Sequence, residues 1–148
     1  THCISSAASD VYKRQVLVDE GQVLEKPVDA TDNLRMLAEL RGRSCTVITG
    51  VALVHPVLQS PGYHVRTICE RTRIHFGDVS SALLKAYVDS GEGMGRAGGF
   101  AIQGRGSLLI RAIEGDYNNV VGFPLYSVFE LLHDLVENGE LDLEGLGD

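Results

Sequence analysis

Nine of the seventeen glycines in this 148-residue chain fall between Gly91 and Gly122, in the runs GEGMGRAGGFAIQGRG and GDYNNVVG. Glycine permits positive φ and lets a ligand come close to the main chain, so such a run has the chemistry of a backbone-lined binding loop. The string Gly93-x-Gly95-x-x-Gly98 matches the dinucleotide-binding fingerprint letter for letter. That fingerprint leaves a strand and opens a helix; here a helical pattern precedes it and the apolar Phe100-Ala101-Ile102 follows. No GxxxxGK[ST] string is present, which excludes a P-loop enzyme. A ligand-approach loop and a flexible surface loop both remain open on these residues.

The other chemistry-bearing types are scattered. His2, His55, His64, His75 and His133 show no metal-ligand spacing, and His55 and His64 flank a Pro-containing loop where a surface position is expected. Cys3, Cys45 and Cys69 are an odd number without a close pair. Reduced thiols are expected, with Cys45 and Cys69 as small core residues on opposed strands.

The elements that must position these residues follow from periodicity and punctuation. Val16-Leu17-Val18 and Val23-Leu24 read as a short hairpin, ended by Glu25-Lys26-Pro27. Asp29 or Thr31 caps a helix to about Arg41, with Leu34, Leu37, Ala38 and Leu40 as its apolar stripe and Gly42 as its stop. Residues 44–55 form a strand apolar enough to be buried on both faces, and residues 64–76 return as a half-buried partner. Ser80 caps a second helix, whose Leu83, Leu84, Tyr87 and Val88 face the core. Residues 107–114 make another strand. Pro124 opens a last helix with Leu125, Val128, Phe129, Leu132, Leu135 and Val136 on one side. Alternating strands and helices predict an α/β domain with a mixed sheet flanked by helices. Its expected span is residues 16–138, followed by an acidic tail over 139–148.

Thirteen Lys and Arg against twenty Asp and Glu leave a net charge of −7. That balance argues against a nucleic-acid partner or a membrane surface, both of which reward clustered cations. No apolar run approaches the roughly 18 residues of a membrane helix, and no secretory layout opens the chain, so a cytoplasmic location is expected.

Five segments in register make the sequence specific: Glu25-Lys26-Pro27, Thr49-Gly50-Val51-Ala52-Leu53, Tyr87-Val88-x-Ser90-Gly91-Glu92, Ala97-Gly98-Gly99-Phe100-Ala101-Ile102-Gln103-Gly104, and Glu114-Gly115-Asp116-Tyr117-x-Asn119-Val120-Val121-Gly122-Phe123-Pro124. Together they resemble the Maf family from about Val16 to Leu135. The resemblance implies a fold of the inosine-triphosphate-pyrophosphatase type, usually a homodimer. It also implies hydrolysis of nucleoside triphosphates to the monophosphate and pyrophosphate with Mg²⁺ or Mn²⁺. The Ile102-Gln103-Gly104 form and the GDYNNVVG segment are similar to the dTTP/UTP branch, and the 7-methyl-GTP branch carries other residues there.

Within that resemblance Lys26 becomes a substrate-binding cation, aimed at phosphate from an extended backbone that Pro27 favours. Gln103 offers an acceptor and two donors, as reading a pyrimidine edge requires. Thr49, beside Gly50, interrupts an apolar strand where a ligand approaches closely or where a β-bulge sits. Glu92 is a candidate partner for a hydroxyl or a metal, or a solvated loop carboxylate. Asp116 reads as a cap of its own turn.

The resemblance stops at Val16. Residues 1–15 are small, polar and aperiodic, and Ser9–Gln15 resembles translated adapter sequence, so the segment is expected to be non-native or disordered. Family members carry upstream a Ser/Arg loop that grips phosphate, then a glutamate and a lysine. Just before the hairpin an Ala-Asp-Thr-like segment supplies the aspartate that binds metal or activates water. Here Lys13 or a neighbour holds that position, and the catalytic aspartate is unassigned. The expectation is therefore a pyrophosphatase chain of impaired activity. A non-catalytic nucleotide-binding or dimerisation module is the alternative.

Overall fold

The computed structural model describes residues 12–18, 21–56, 60 and 62–141. Five strands form one sheet: β1 (Tyr12–Val18), β2 (Val23–Leu24), β3 (Ser44–Pro56), β4 (Tyr63–Phe76) and β5 (Ile110–Glu114), in the order β2-β1-β3-β4-β5. Four helices accompany it: α1 (Ala30–Leu40), α2 (Ser81–Asp89), α3 (Tyr117–Val121) and α4 (Leu125–Glu137). The expected α/β layering is present, but every described strand pair is antiparallel rather than mixed. A lone helix between neighbouring strands returns the chain parallel. Here β2 adds a reversal before α1, and the glycine-rich passage adds one after α2, so β3 and β5 come back antiparallel to their neighbours.

Local chemistry starts the helices where it should. The Asp29 carboxylate accepts the Asp32 N–H at 2.7 Å, and the Ser80 hydroxyl accepts the Leu83 N–H at 3.1 Å. Asp116 caps as expected, accepting the Asn118 N–H at 2.9 Å, but what it caps is α3, which the periodicity does not announce. The strand expected over 107–114 begins at Ile110, because residues 104–109 coil into 3-10 turns first. β1 begins at Tyr12, and its pairing with β3 runs without interruption from Tyr12 opposite Val51 to Val18 opposite Cys45. The remainder of the expected N-terminal segment, residues 1–11, and residues 142–148 of the acidic tail lie outside the described residues.

The core lies on one face of the sheet. Val16, Val18, Cys45, Val47, Ile74 and Phe76 meet Met36, Leu37 and Leu40 of α1 and Leu84, Tyr87 and Val88 of α2. Phe76 and Phe100 meet edge to face, with ring centroids 5.0 Å apart. β3 is therefore not buried on both faces: Val47, Thr49 and Val51 are buried, while Thr46, Ile48 and Ala52 are half-buried. Of the two strand thiols only Cys45 is a core residue; Cys69 is exposed and takes part in a disulfide, against the expectation of reduced thiols. Leu125 and Phe129 of α4 were expected to face the core but are 59% and 64% exposed. Leu135 is the one residue of this helix that is buried. No helix among the described residues is long and apolar enough to cross a membrane.

Leu37 is fully buried at the centre of this cluster. Leu37→Ala is expected to destabilise the fold by about 2–5 kcal/mol, read as a lower urea midpoint at unchanged m-value.

Candidate functional site

Two features meet at the candidate site: the strand end that carries Lys26, and the glycine-rich passage from Gly91 to Leu109. The passage is folded on itself around one side chain. The Glu92 carboxylate accepts the Arg105 N–H at 3.0 Å through Oε2 and the Gly106 N–H at 2.9 Å through Oε1. The Tyr87 hydroxyl, which also bonds Glu92, accepts the Ala101 N–H at 3.1 Å. Burial pushes the Tyr87 hydroxyl above its ordinary value, so it stays neutral. The bond from the Gly106 amide is the main cause that holds Glu92 below the ordinary carboxyl value of 4.5, with the Arg105 amide and Tyr87 adding to it. Glu92 is thus a charged clamp whose two oxygens are both occupied by the loop.

Close packing explains two of the glycines. A Cβ on Gly106 would lie 1.8 Å from the Ala101 carbonyl oxygen, and one on Gly93 would lie 2.0 Å from that of Gly99. The passage is then tied to β2: Gly98 donates its N–H to the Glu25 carbonyl at 3.0 Å. Lys26, the next residue, is exposed beside this tie and makes no ion pair with a described residue. Gln103 is exposed at the start of the second 3-10 turn. It shares a narrow cleft with Arg96 and Phe100 of the passage, Val16 of β1 and Val47 of β3. Arg96 was not singled out in the sequence; its signal would have been that it is the one cation inside the glycine run up to Gly104.

Thr49 lies on β3 one alternation beyond Val47, fully buried, and its hydroxyl has no partner among the described residues. The register is continuous through Thr49 and Gly50 on both sides, so no bulge lies there; the irregularity falls at His75/Phe76. Arg14 of β1 stands opposite Thr49, Lys13 opposite Gly50, and Glu70 of β4 opposite Thr49 on the other side. Glu70 is engaged by the Ser127 hydroxyl. Asn119 of α3 pins the same region, donating to the Val47 carbonyl at 3.2 Å and to the Thr72 hydroxyl at 3.0 Å. Lys26, Gln103 and Glu92 are thus gathered by one passage, while Thr49 adjoins it through Val47.

A hard cation such as Mg²⁺ or Mn²⁺ needs free carboxylate oxygens. Both Glu92 oxygens are spent on amides and Glu70 is engaged by Ser127, which leaves the buried Asp116 Oδ2, tied to this region through the bond from Thr72 to the Asp116 carbonyl, as the carboxylate oxygen without a partner among the described residues; one such oxygen is too few to hold an ion of this kind.

Because folding lowers the Glu92 pKa and so favours its ionised form, the stability it contributes is full above pH 4.5 and is lost as pH falls through the lower folded value. Amide exchange should show Arg105 and Gly106 losing protection across that window in the native chain. In Glu92→Ala their protection should be absent at every pH.

The family model for Maf-like proteins matches residues 8–135. A dTTP/UTP pyrophosphatase of Schizosaccharomyces pombe is 40% identical over 132 residues, covering 86% of this chain and 55% of that protein. One of Moorella thermoacetica is 47% identical over 117 residues, covering 79% and 58%. A probable bifunctional dTTP/UTP pyrophosphatase/methyltransferase protein of Homo sapiens is 47% identical over 107 residues, covering 71% and 17%. The chain spans well under two thirds of the length of these relatives. With the match running from before β1 into α4, through the Lys26 strand end and the whole glycine passage, the chain belongs to the Maf family.

Proposed function

We propose that the protein serves a nucleoside triphosphate pyrophosphatase, taking dTTP, UTP or modified pyrimidine nucleotides to the monophosphate and pyrophosphate in the cytoplasm. The observation that carries the reading is the Gly98–Glu25 tie, which sets the strand end bearing the exposed Lys26 beside the passage that presents Gln103. A net charge of −7 repels a triphosphate at long range, so binding depends on cations placed at the site. Lys26 supplies one, and Arg96 lies in the same cleft as Gln103.

In the reaction water attacks the α-phosphorus, the bond from that phosphorus to the bridging oxygen breaks, and pyrophosphate leaves with the electron pair. Lys26 offsets the charge that grows on the departing oxygens. Gln103 reads the pyrimidine edge with its amide, and the Glu92 clamp keeps that amide from wandering. Thr49, buried with its hydroxyl unpartnered among the described residues, follows two positions after Val47, which lines the cleft, and is proposed to back that wall. The position where the family's aspartate is expected carries Lys13 or its neighbour Arg14. Lack of a general base costs about 10²–10⁴ in rate, so this chain is proposed to bind nucleotide and turn it over slowly. A homodimer, which the family resemblance implies, belongs to the same proposal and is read by sedimentation equilibrium.

Titration with UTP and dTTP, with pyrophosphate release followed in parallel, tests the reading. The chain should bind both saturably, and Lys26→Ala and Gln103→Ala should each weaken binding by about tenfold, the loss of one charge-assisted or well-placed hydrogen bond. Pyrophosphate release should run at least about 10²-fold below that of a relative with the aspartate. Absence of nucleotide binding would leave only the fold in common with the family.

A further inference from the structure

The distal end of the β3–β4 ribbon holds a group of side chains that the nucleotide reading does not use. His55 and His64 stand directly opposite each other, one pair before the last of the ribbon. Cross-strand partners have Cβ atoms about 4.5–5.5 Å apart, and these two rings meet edge to face with centroids 5.5 Å apart. Sequence spacing suggests a surface position for both, yet His55 is only 3% exposed and neither of its ring nitrogens has a hydrogen-bond partner among the described residues. Burial takes water away from both ring nitrogens, so the imidazole is left with lone-pair and N–H capacity that a ligand can satisfy.

The third member comes from beyond α4. Gly139 turns the chain with φ of 68°, and the N–H groups of Glu140 and Leu141 bond back to the Leu135 carbonyl at 2.8 and 3.0 Å. That turn fixes Glu140 over the ribbon, where Arg66 holds one carboxylate oxygen, Oε2. One ligand atom each from His55, His64 and Glu140 lies within 4.8 Å of the others. An ion at the centre of a triangle of that size sits roughly 2.8 Å from each atom, against about 2.0–2.2 Å in zinc sites. Small rotations of the exposed His64 and of Glu140 close the difference.

We propose that His55, His64 and Glu140 form a binding site for one divalent first-row transition metal of the Zn²⁺ class, which staples the tip of the β3–β4 ribbon to the turn after α4. Two imidazoles and one carboxylate select such an ion over Mg²⁺ or Ca²⁺, whose sites are built from oxygen. Three protein ligands leave a fourth position for water. The site is separate from the nucleotide cleft: His55 lies six residue steps along β3 from Thr49, about 20 Å at about 3.3 Å each. It does not depend on the proposed pyrophosphatase activity.

Zn²⁺ alone, titrated into the full chain against a chromophoric chelator, tests the site, with thermal unfolding as the second readout. The expected result is one Zn²⁺ per chain, a rise in Tm that EDTA reverses, and no comparable rise with Mg²⁺. His64→Ala and Glu140→Gln, both at positions with solvent access, should each weaken Zn²⁺ at least tenfold and reduce the Tm rise, with UTP binding unchanged. Zn²⁺ affinity that survives both substitutions together belongs elsewhere in the chain and overturns the assignment. Failure to saturate overturns it as well.

Discussion

The carboxylate of Glu92 is the interaction on which the candidate site rests. It faces two backbone amides from residues thirteen and fourteen positions downstream, and a buried tyrosine hydroxyl closes the same ring of bonds. Amides donating to an ionised carboxylate are stronger than neutral pairs, and here they draw both ends of the glycine passage together. Everything that a nucleotide would meet is then held from this point. The Tyr87 hydroxyl fixes Ala101, which lies two residues before Gln103, and the tie from Gly98 to Glu25 carries the constraint across to the strand end bearing Lys26. A carboxylate between two glycines reads in sequence either as a partner for a metal or hydroxyl or as a loop carboxylate in water. In the fold its charge is turned inward.

What was legible in the sequence is what short-range chemistry decides. Asp29, Ser80 and Asp116 announce caps because the bond each makes reaches only two or three residues, and the 44–55 and 64–76 runs announce a hairpin because β propensity and a Pro-containing loop adjoin. What was not legible depends on partners distant in the chain. The periodicity of α4 gives a face but not something to cover it, so Leu125 and Phe129 read as core and stand in solvent. His55 opposite His64 requires the register of a 13-residue strand against a 14-residue one, and a shift of one would separate them. The antiparallel course of the sheet turns on β2, two residues long, and on a passage without regular structure. The Glu92 clamp was hidden because its partners are backbone amides, which have no sequence signature.

The acidic balance of the chain also takes on a different meaning once positions are known. Arg71 and Arg73 of β4 are exposed on the side of the sheet away from the core, so much of the positive charge sits where it does not serve the cleft. Arg35 is taken up on α1 by Asp32 and Glu39, and Arg66 by Glu140. Lys26, Arg96 and Arg105 are cations that the fold places in or beside the glycine passage. Local placement, more than the sum of charges, decides whether an anion can bind to such a protein.

The glycines themselves bear on how the site works. Composition leaves open whether the run is a ligand-approach loop or a flexible surface loop, and the packing points to a third cause. Gly93, Gly98, Gly99 and Gly106 are buried, and the Asn33 side chain of α1 sits where a Cβ on Gly93 or Gly99 would go, 2.7 and 2.3 Å from the two positions. At these places glycine is required because backbone and a helix side chain press against the loop, so substitution is blocked by crowding. A loop crowded in this way cannot act as a mobile lid without breaking the α1 contact, the Gly98–Glu25 bond and the Glu92 clamp together. It is a wall formed before any ligand arrives. The entropy of ordering it is met during folding and not charged to binding, which suits recognition of one base edge by a single amide, Gln103, whose own position is set by its neighbours.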